Sequence, residues 1–453
     1  MKRPRSLTPG PSGAGLALAA LLLSAVALAG DGTLPAADWK KLEADAARAL
    51  EAGEVEAVRA ALDSAAKDRS VRALKLVEKV AAGTLDAALS ACGRAAAALA
   101  ADSKDVAKEA RKDALAVKSP RVKTVLVAAL RPADPENVPV LVKLAADPAE
   151  DVAVAAIRSL AEGKADAAVD PLVAQMEKLD AARGPIWEEL RYALGDLLGG
   201  RLASGAEYRA RWAALKAKGG TKAVGTPEDP KPREPTPTAG GSPRTVELFG
   251  REVLCSRVVF ILDVSGSMTK VDDPALELPP ETRGKGTSAA PGAPPAPAGA
   301  VDPRSRIERA KRELKKVLKG LPRGSKVNLI AFSTGVRLWR AGTPPALHAL
   351  DAATVSDATK WVDELSADGT TATDEALDKA FEVDGARCFY LLSDGEPTKD
   401  GTTRIPTDTI LALIASKNAT KRIRIHTLGF PGADPEFMKA VSAATGGEYS
   451  DIK

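Results

Sequence analysis

Three short stretches carry side chains able to gather hard oxygen donors. Asp263, Ser265 and Ser267 alternate in Asp-Val-Ser-Gly-Ser-Met, Asp394 sits in Ser393-Asp394-Gly395, and Asp368-Gly369-Thr370-Thr371 lies between them in the chain. Two carboxylates and several hydroxyls, without histidine or thiolate, suit Mg2+, Mn2+ or Ca2+ and disfavour zinc. The chain holds only two histidines, His348 and His426, which weakens both a zinc site and a Ser-His-Asp arrangement. Aspartyl-phosphate chemistry at Asp263 needs a second acid two residues on, where Ser265 stands. Gly320 to Lys326 is not a phosphate loop, because the spacing fails and no Ser or Thr follows the lysine. Binding rather than catalysis is the expected chemistry, with a structural envelope scaffold whose metal site is vestigial as the alternative and a metal-dependent hydrolase behind both.

Such a cluster needs rigid supports. Val258 to Leu262 is an unbroken apolar run leading into Asp263. Strands are predicted at 258–263, 326–332, 387–394, 422–430 and 447–452. They alternate with helices predicted at 305–321, 357–367, 373–382, 407–418 and 434–445. Asp434 is placed to cap the last helix and Pro435 to open it. Strand–helix alternation implies parallel pairing with helices on both faces, so a central strand is apolar on both sides. In such sheets ligands bind beyond the carboxyl ends of the strands, where the strand order reverses. Asp263 to Ser267 and Asp394 both follow the carboxyl ends of predicted strands.

These motifs, in this order on these elements, resemble the von Willebrand factor A (VWA) domain. DVSGSM resembles that family's DxSxS motif, GTT its threonine loop, SDG its later aspartate turn, and IHTLGF and TGGEY its last strands. The resemblance spans 246–453 and implies a doubly wound, Rossmann-like α/β domain with a metal ion-dependent adhesion site. It implies Ser265 and Ser267 as direct hydroxyl ligands, Thr371 as a third, and Asp263 and Asp394 acting largely through water. The open position would take an Asp or Glu carboxylate from a partner protein. The usual Gly-Gly-Thr is here Gly369-Thr370-Thr371; counting back from Ala376-Leu377 favours Thr371, with Thr370 as the alternative. A second departure is a Pro/Ala/Gly-rich insertion at about 269–304, between the first motif and its helix, read as a solvated insertion or a carrier of an added contact.

The remainder of the chain bounds the setting. Lys2, Arg3 and Arg5 precede the apolar run Ala14 to Ala29, which ends in Ala27-Leu28-Ala29; residues 1–29 read as a cleaved signal peptide. No later stretch is apolar enough to cross a membrane, so export to the periplasm, to the cell surface or by secretion is the expectation, and the alanine-rich composition suggests a bacterial source. Residues 35–215 read as successive amphipathic helices. DPAEDVAVAAIRSLAEGKADAAVDPLVAQME resembles a HEAT-type helical pair, with an irregular helical bundle as the alternative. A Pro/Gly-rich linker at 216–245 joins this all-α region to the α/β domain. Net charge is +4 from 64 basic and 60 acidic residues, which argues against a dedicated nucleic-acid binder. The basic helix at 305–321 reads as a solvated face. Cys255 and Cys388 either pair or remain buried thiols.

Overall fold

The structure, a computed structural model, describes residues 33–83, 86–224, 246–273, 275 and 302–453. The expected signal peptide, residues 225–245 of the expected linker, and residues 274 and 276–301 of the expected insertion lie outside the described residues. The chain divides into two compact units, one helical and one α/β.

The helical region comprises α1 (Ala36–Ala52), α2 (Val55–Ala65), α3 (Val71–Ala82), α4 (Leu89–Asp102), α5 (Lys104–Ala116) and α6 (Pro120–Ala129). It continues with α7 (Val138–Ala145), α8 (Glu150–Glu162), α9 (Asp166–Leu179), α10 (Pro185–Leu198) and α11 (Gly205–Lys216). Ser103, Ser119 and Ser204 cap α5, α6 and α11 through their side chains, satisfying N–H groups the first turn leaves open. Buried alanines such as Ala73, Ala95, Ala96 and Ala156 let neighbouring helices approach closely.

Packing follows a rule along the chain. Helices α1, α3, α5, α7, α9 and α11 touch in succession, and α2, α4, α6 and α8 do likewise. Two layers of alternate helices are the order of an α-solenoid, not of an irregular bundle. This order extends ahead of residue 115, amino-terminal to the pair whose sequence resembles a HEAT unit. Prolines of neighbouring helices do not hold equivalent positions. Pro139 is the second residue of α7, whereas Pro171 lies inside α9.

In the α/β unit a hairpin of β1 (Glu247–Leu248) and β2 (Arg251–Glu252) precedes the main sheet. The sheet contains β3 (Arg257–Asp263), β4 (Lys326–Phe332), β5 (Val336–Leu338), β6 (His348–Ala349), β7 (Cys388–Ser393), β8 (Arg424–Gly429) and β9 (Tyr449–Asp451). Its order is β5-β4-β3-β7-β8-β9, with β6 also on β4. The chain runs from β3 to β4 on one side and returns to β7 on the other, so β3 borders the reversal of strand order.

Helices α12 (Arg306–Gly320) and α13 (Ala352–Asp363) cover one face; α14 (Thr373–Glu382), α15 (Thr407–Asn418) and α16 (Pro435–Ala443) cover the other. Val258, Phe260 and Leu262 pack with Ile307, Leu314 and Val362. Val259 and Ile261 pack with Leu377, Phe389 and Met438. Alternate residues of β3 thus enter two separate cores, which explains an apolar run with no polar alternation.

Parallel pairing holds from β4 through β9, but β5 and β6 pair antiparallel to β4. The tight turn after Phe332, where the Ser333 N–H donates to the Gly335 carbonyl at 3.0 Å, has no room for a crossover. Helix α13 begins at Ala352 and ends at Asp363, earlier at both ends than predicted, because Asp351 accepts the Thr354 N–H at 2.7 Å and sets the start. Cys255 and Cys388 form a disulfide, Cα–Cα 6.2 Å, at the end of β3 and β7 remote from Asp263. Among the described residues no helix is long and apolar enough to cross a membrane.

Candidate metal centre

Strand β3 delivers Asp263 into the interior, where it is fully buried. The Ser265 N–H donates to its Oδ1 at 2.8 Å and the Ser393 hydroxyl to its Oδ2 at 2.6 Å. Burial pushes this carboxyl up to about 6 and the Asp394 charge adds to the push, while the serine hydrogen bonds oppose it. Beyond Asp263 the chain makes a short turn over Gly266–Thr269, anchored by buried Met268. Ser265 and Ser267 come together there, Oγ to Oγ 3.1 Å.

The three motifs meet through identified bonds. The Ser267 hydroxyl donates to Asp394 Oδ1 at 2.7 Å, joining the turns after β3 and β7. The Gly266 N–H donates to the Gly369 carbonyl at 3.1 Å, and the Asp368 N–H to the Val264 carbonyl at 2.8 Å. These clamp the threonine loop against the first turn. Helix α14 begins only at Thr373, so Asp368 to Thr371 form the loop before it.

The two candidate threonines point differently. Thr371 is buried, and a Cβ placed at Gly395 would lie 3.2 Å from its hydroxyl oxygen, so that hydroxyl faces the aspartate turn. Thr370 is turned outward: its N–H and hydroxyl meet the Thr334 hydroxyl at 3.1 and 3.4 Å.

Asp394 has a partner that sequence reading missed. Arg306 Nη1 donates to its Oδ2 at 2.5 Å, and Arg306 Nε donates to Asp272 Oδ1 at 2.7 Å. The signal was present: Arg306 shares a helix face with Ala310 and Leu314, four and eight residues on, both buried. Grouping it with the solvated basic residues of α12 obscured that register. Ser393, whose hydroxyl holds Asp263 Oδ2, was visible only as the residue before Asp394.

The donors gathered here are all oxygens. Among the described residues no group of three or more His, Cys, Asp or Glu side chains is arranged to hold a metal. A cation at this place would therefore rely on hydroxyls beside two carboxylates. That composition fits Mg2+, which retains water and needs few carboxylates. A cation would also favour the ionised form of buried Asp263.

Residues 300–451 match the family model described as von Willebrand factor type A domain. The C-terminal unit is a VWA domain. The matched span starts after β3 and DVSGSM, which belong to the domain through the sheet, β3 lying between β4 and β7. Human von Willebrand factor A domain-containing protein 3A is 31% identical over 129 residues, covering 27% of this chain and 10% of its own. The chain thus spans about a tenth of that relative's length. A von Willebrand factor type A structure from Catenulispora acidiphila shares 21% identity, covering 43% of this chain and 38% of its own, with a TM-score of 0.32. The PilB minor pilin from Streptococcus sanguinis shares 16%, covering 43% and 56%, with a TM-score of 0.27. VWA domains generally mediate protein–protein interactions.

Proposed function

We propose that the VWA domain binds a divalent cation of the Mg2+ type (Mg2+, Mn2+ or Ca2+) and through it captures a carboxylate of a partner protein. Asp263, Ser265, Ser267, Thr371 and Asp394 would hold the cation, which when bound supplies an electrophilic centre for that carboxylate. The supporting observation is the meeting of three loops, through Ser267–Asp394 and Gly266–Gly369, at the carboxyl ends of β3 and β7. Oxygen-only donors, few of them charged, favour a hard cation that keeps an open position.

The helical unit serves in this reading as scaffold, and the protein acts after export, in the periplasm or at the cell surface. It acts by binding and not by turnover. The histidines that acyl transfer would need are engaged in the sheet: His348 lies in β6, and His426 is buried, stacked on Tyr390 at 4.7 Å and accepting the Glu448 N–H at 3.2 Å.

Thermal unfolding of the full chain, in EDTA and in Mg2+, Mn2+ or Ca2+ with acetate present, tests this. A cation at a hundred times its Kd stabilises its domain by about 2.7 kcal/mol, roughly 5–10 °C for a domain of this size. The shift should vanish in Ser267→Ala, a small change that removes one hydroxyl. A wild-type protein indifferent to every cation would sink the reading.

A further inference from the structure

Asp394 is held from two sides. Its Oδ1 takes the Ser267 hydroxyl and its Oδ2 takes Arg306, so one of the two candidate carboxylates is already paired with a fixed positive charge. Arg306 is itself enclosed. Its side chain is 8% exposed, and a Cβ at Gly432, whose φ is +99°, would lie 3.8 Å from both terminal nitrogens and 3.4 Å from the Asp394 carbonyl. The Arg306 N–H donates to the Lys270 carbonyl at 3.0 Å. Its Nε and Nη2 both reach Asp272 Oδ1, and Arg309 lies 3.6 Å from the other Asp272 oxygen. The guanidinium is therefore held between Asp394 and Asp272, with the Arg306 backbone tied to Lys270 just past the turn that carries Ser265 and Ser267.

We propose that Arg306 is the charge-setting residue of this centre, positioning Asp394 and offsetting its charge. The proposal rests on the cation reading given above. A fixed cation sharing Asp394 repels a divalent ion and weakens its hold. The same offset leaves a bound ion with more uncompensated positive charge, and so more attractive to an incoming carboxylate. Asp272 moderates the effect by taking part of the guanidinium's charge. Arg306 thus trades cation affinity for carboxylate capture.

The test is calorimetric titration of Mg2+ and Mn2+ into the full-length wild type, Arg306→Gln, Arg306→Lys and Asp272→Asn, each checked for folding by its melt in EDTA. Acetate is then added at saturating Mn2+, with the melting shift as readout. Arg306→Gln should bind Mn2+ about tenfold more tightly yet respond less to acetate. Arg306→Lys, which keeps the charge, should stay near the wild type. Asp272→Asn, which leaves the guanidinium's charge less compensated, should bind Mn2+ more weakly. A residue with a merely structural role would not move affinity in opposite directions in the two charge variants.

If the wild type binds and folded Arg306→Gln binds equally or less well, the inference fails and the cation reading stands. If Arg306→Gln does not fold, Asp272→Asn decides: equal or tighter binding overturns the inference. Binding by Arg306→Gln alone supports the inference while correcting the cation reading for the natural protein. Absence of binding in all variants overturns both.

Discussion

Gly369 adopts a φ of +81° in the loop whose carbonyl receives the Gly266 N–H, and a Cβ there would collide with the Thr334 hydroxyl. Few residues other than glycine hold that conformation cheaply. Gly369→Ala should cost roughly 1–3 kcal/mol, read as a lowered denaturant midpoint in EDTA, and should weaken any cation response by displacing Thr371. The serines, threonines and Asp394 could be picked out because their types and order carry chemical meaning. Arg306 was concealed by its type: a charged residue on a basic helix reads as solvated until its place in the buried stripe is counted. Counting back from Ala376-Leu377 already favours Thr371 over Thr370; the structure adds that Thr371 faces Gly395 while Thr370 meets Thr334.

Among strands and helices, the long elements with two-sided burial were readable. Strands β3 and β4 and helices α14 and α15 have the predicted limits, within a residue at the ends. Strands β5 and β6, and the hairpin β1–β2, are too short for a period to show, and β6 is only His348–Ala349. Pairing of β5 and β6 depends on β4 offering an open edge, whereas β1 and β2 pair only with each other. The disulfide likewise required the third dimension. Residues Val258 and Cys388 stand opposite each other in the sheet, which brings Cys255 within reach. It cross-links β3 and β7 at one end, while the Ser393–Asp263 hydrogen bond joins them at the other. The two tethers hold the centre's main supports in register. Replacing both cysteines by serine should lower the stability of the α/β unit by about 2–4 kcal/mol. Chemical denaturation should show the same loss for the wild type in strong reductant.

Cations would act on the α/β unit, while the helical unit has a pH response of its own. There Glu78 lies beside Lys75 and Asp113, with Lys75 Nζ 3.4 Å from its carboxylate and also paired with Asp113 and Glu109. Burial pushes the Glu78 carboxyl from 4.5 up to about 7, and the Asp113 charge adds to this while Lys75 opposes it. The folded state therefore binds this proton more tightly than the unfolded chain does. Stability of the helical unit should fall as pH rises from 4.5 through about 7. Glu78→Gln should flatten that slope in unfolding experiments across the window; an unchanged slope would assign it to other groups.

Cys92, the third cysteine, is buried in α4, and burial pushes its thiol up to about 12. Its place in the chain makes the order of synthesis matter. In a polypeptide that crosses a membrane amino end first, Cys92 meets the oxidising side before Cys255, and Cys255 before Cys388. An oxidant that joins cysteines as they emerge would link Cys92 to Cys255, leaving the native partner without a mate. Burial of Cys92 in α4 removes that competitor once the surrounding helices have packed, because a protonated, enclosed thiol neither attacks nor is attacked. Under the export proposed above, the packing of α4 would guard the Cys255–Cys388 bond until the last strands arrive.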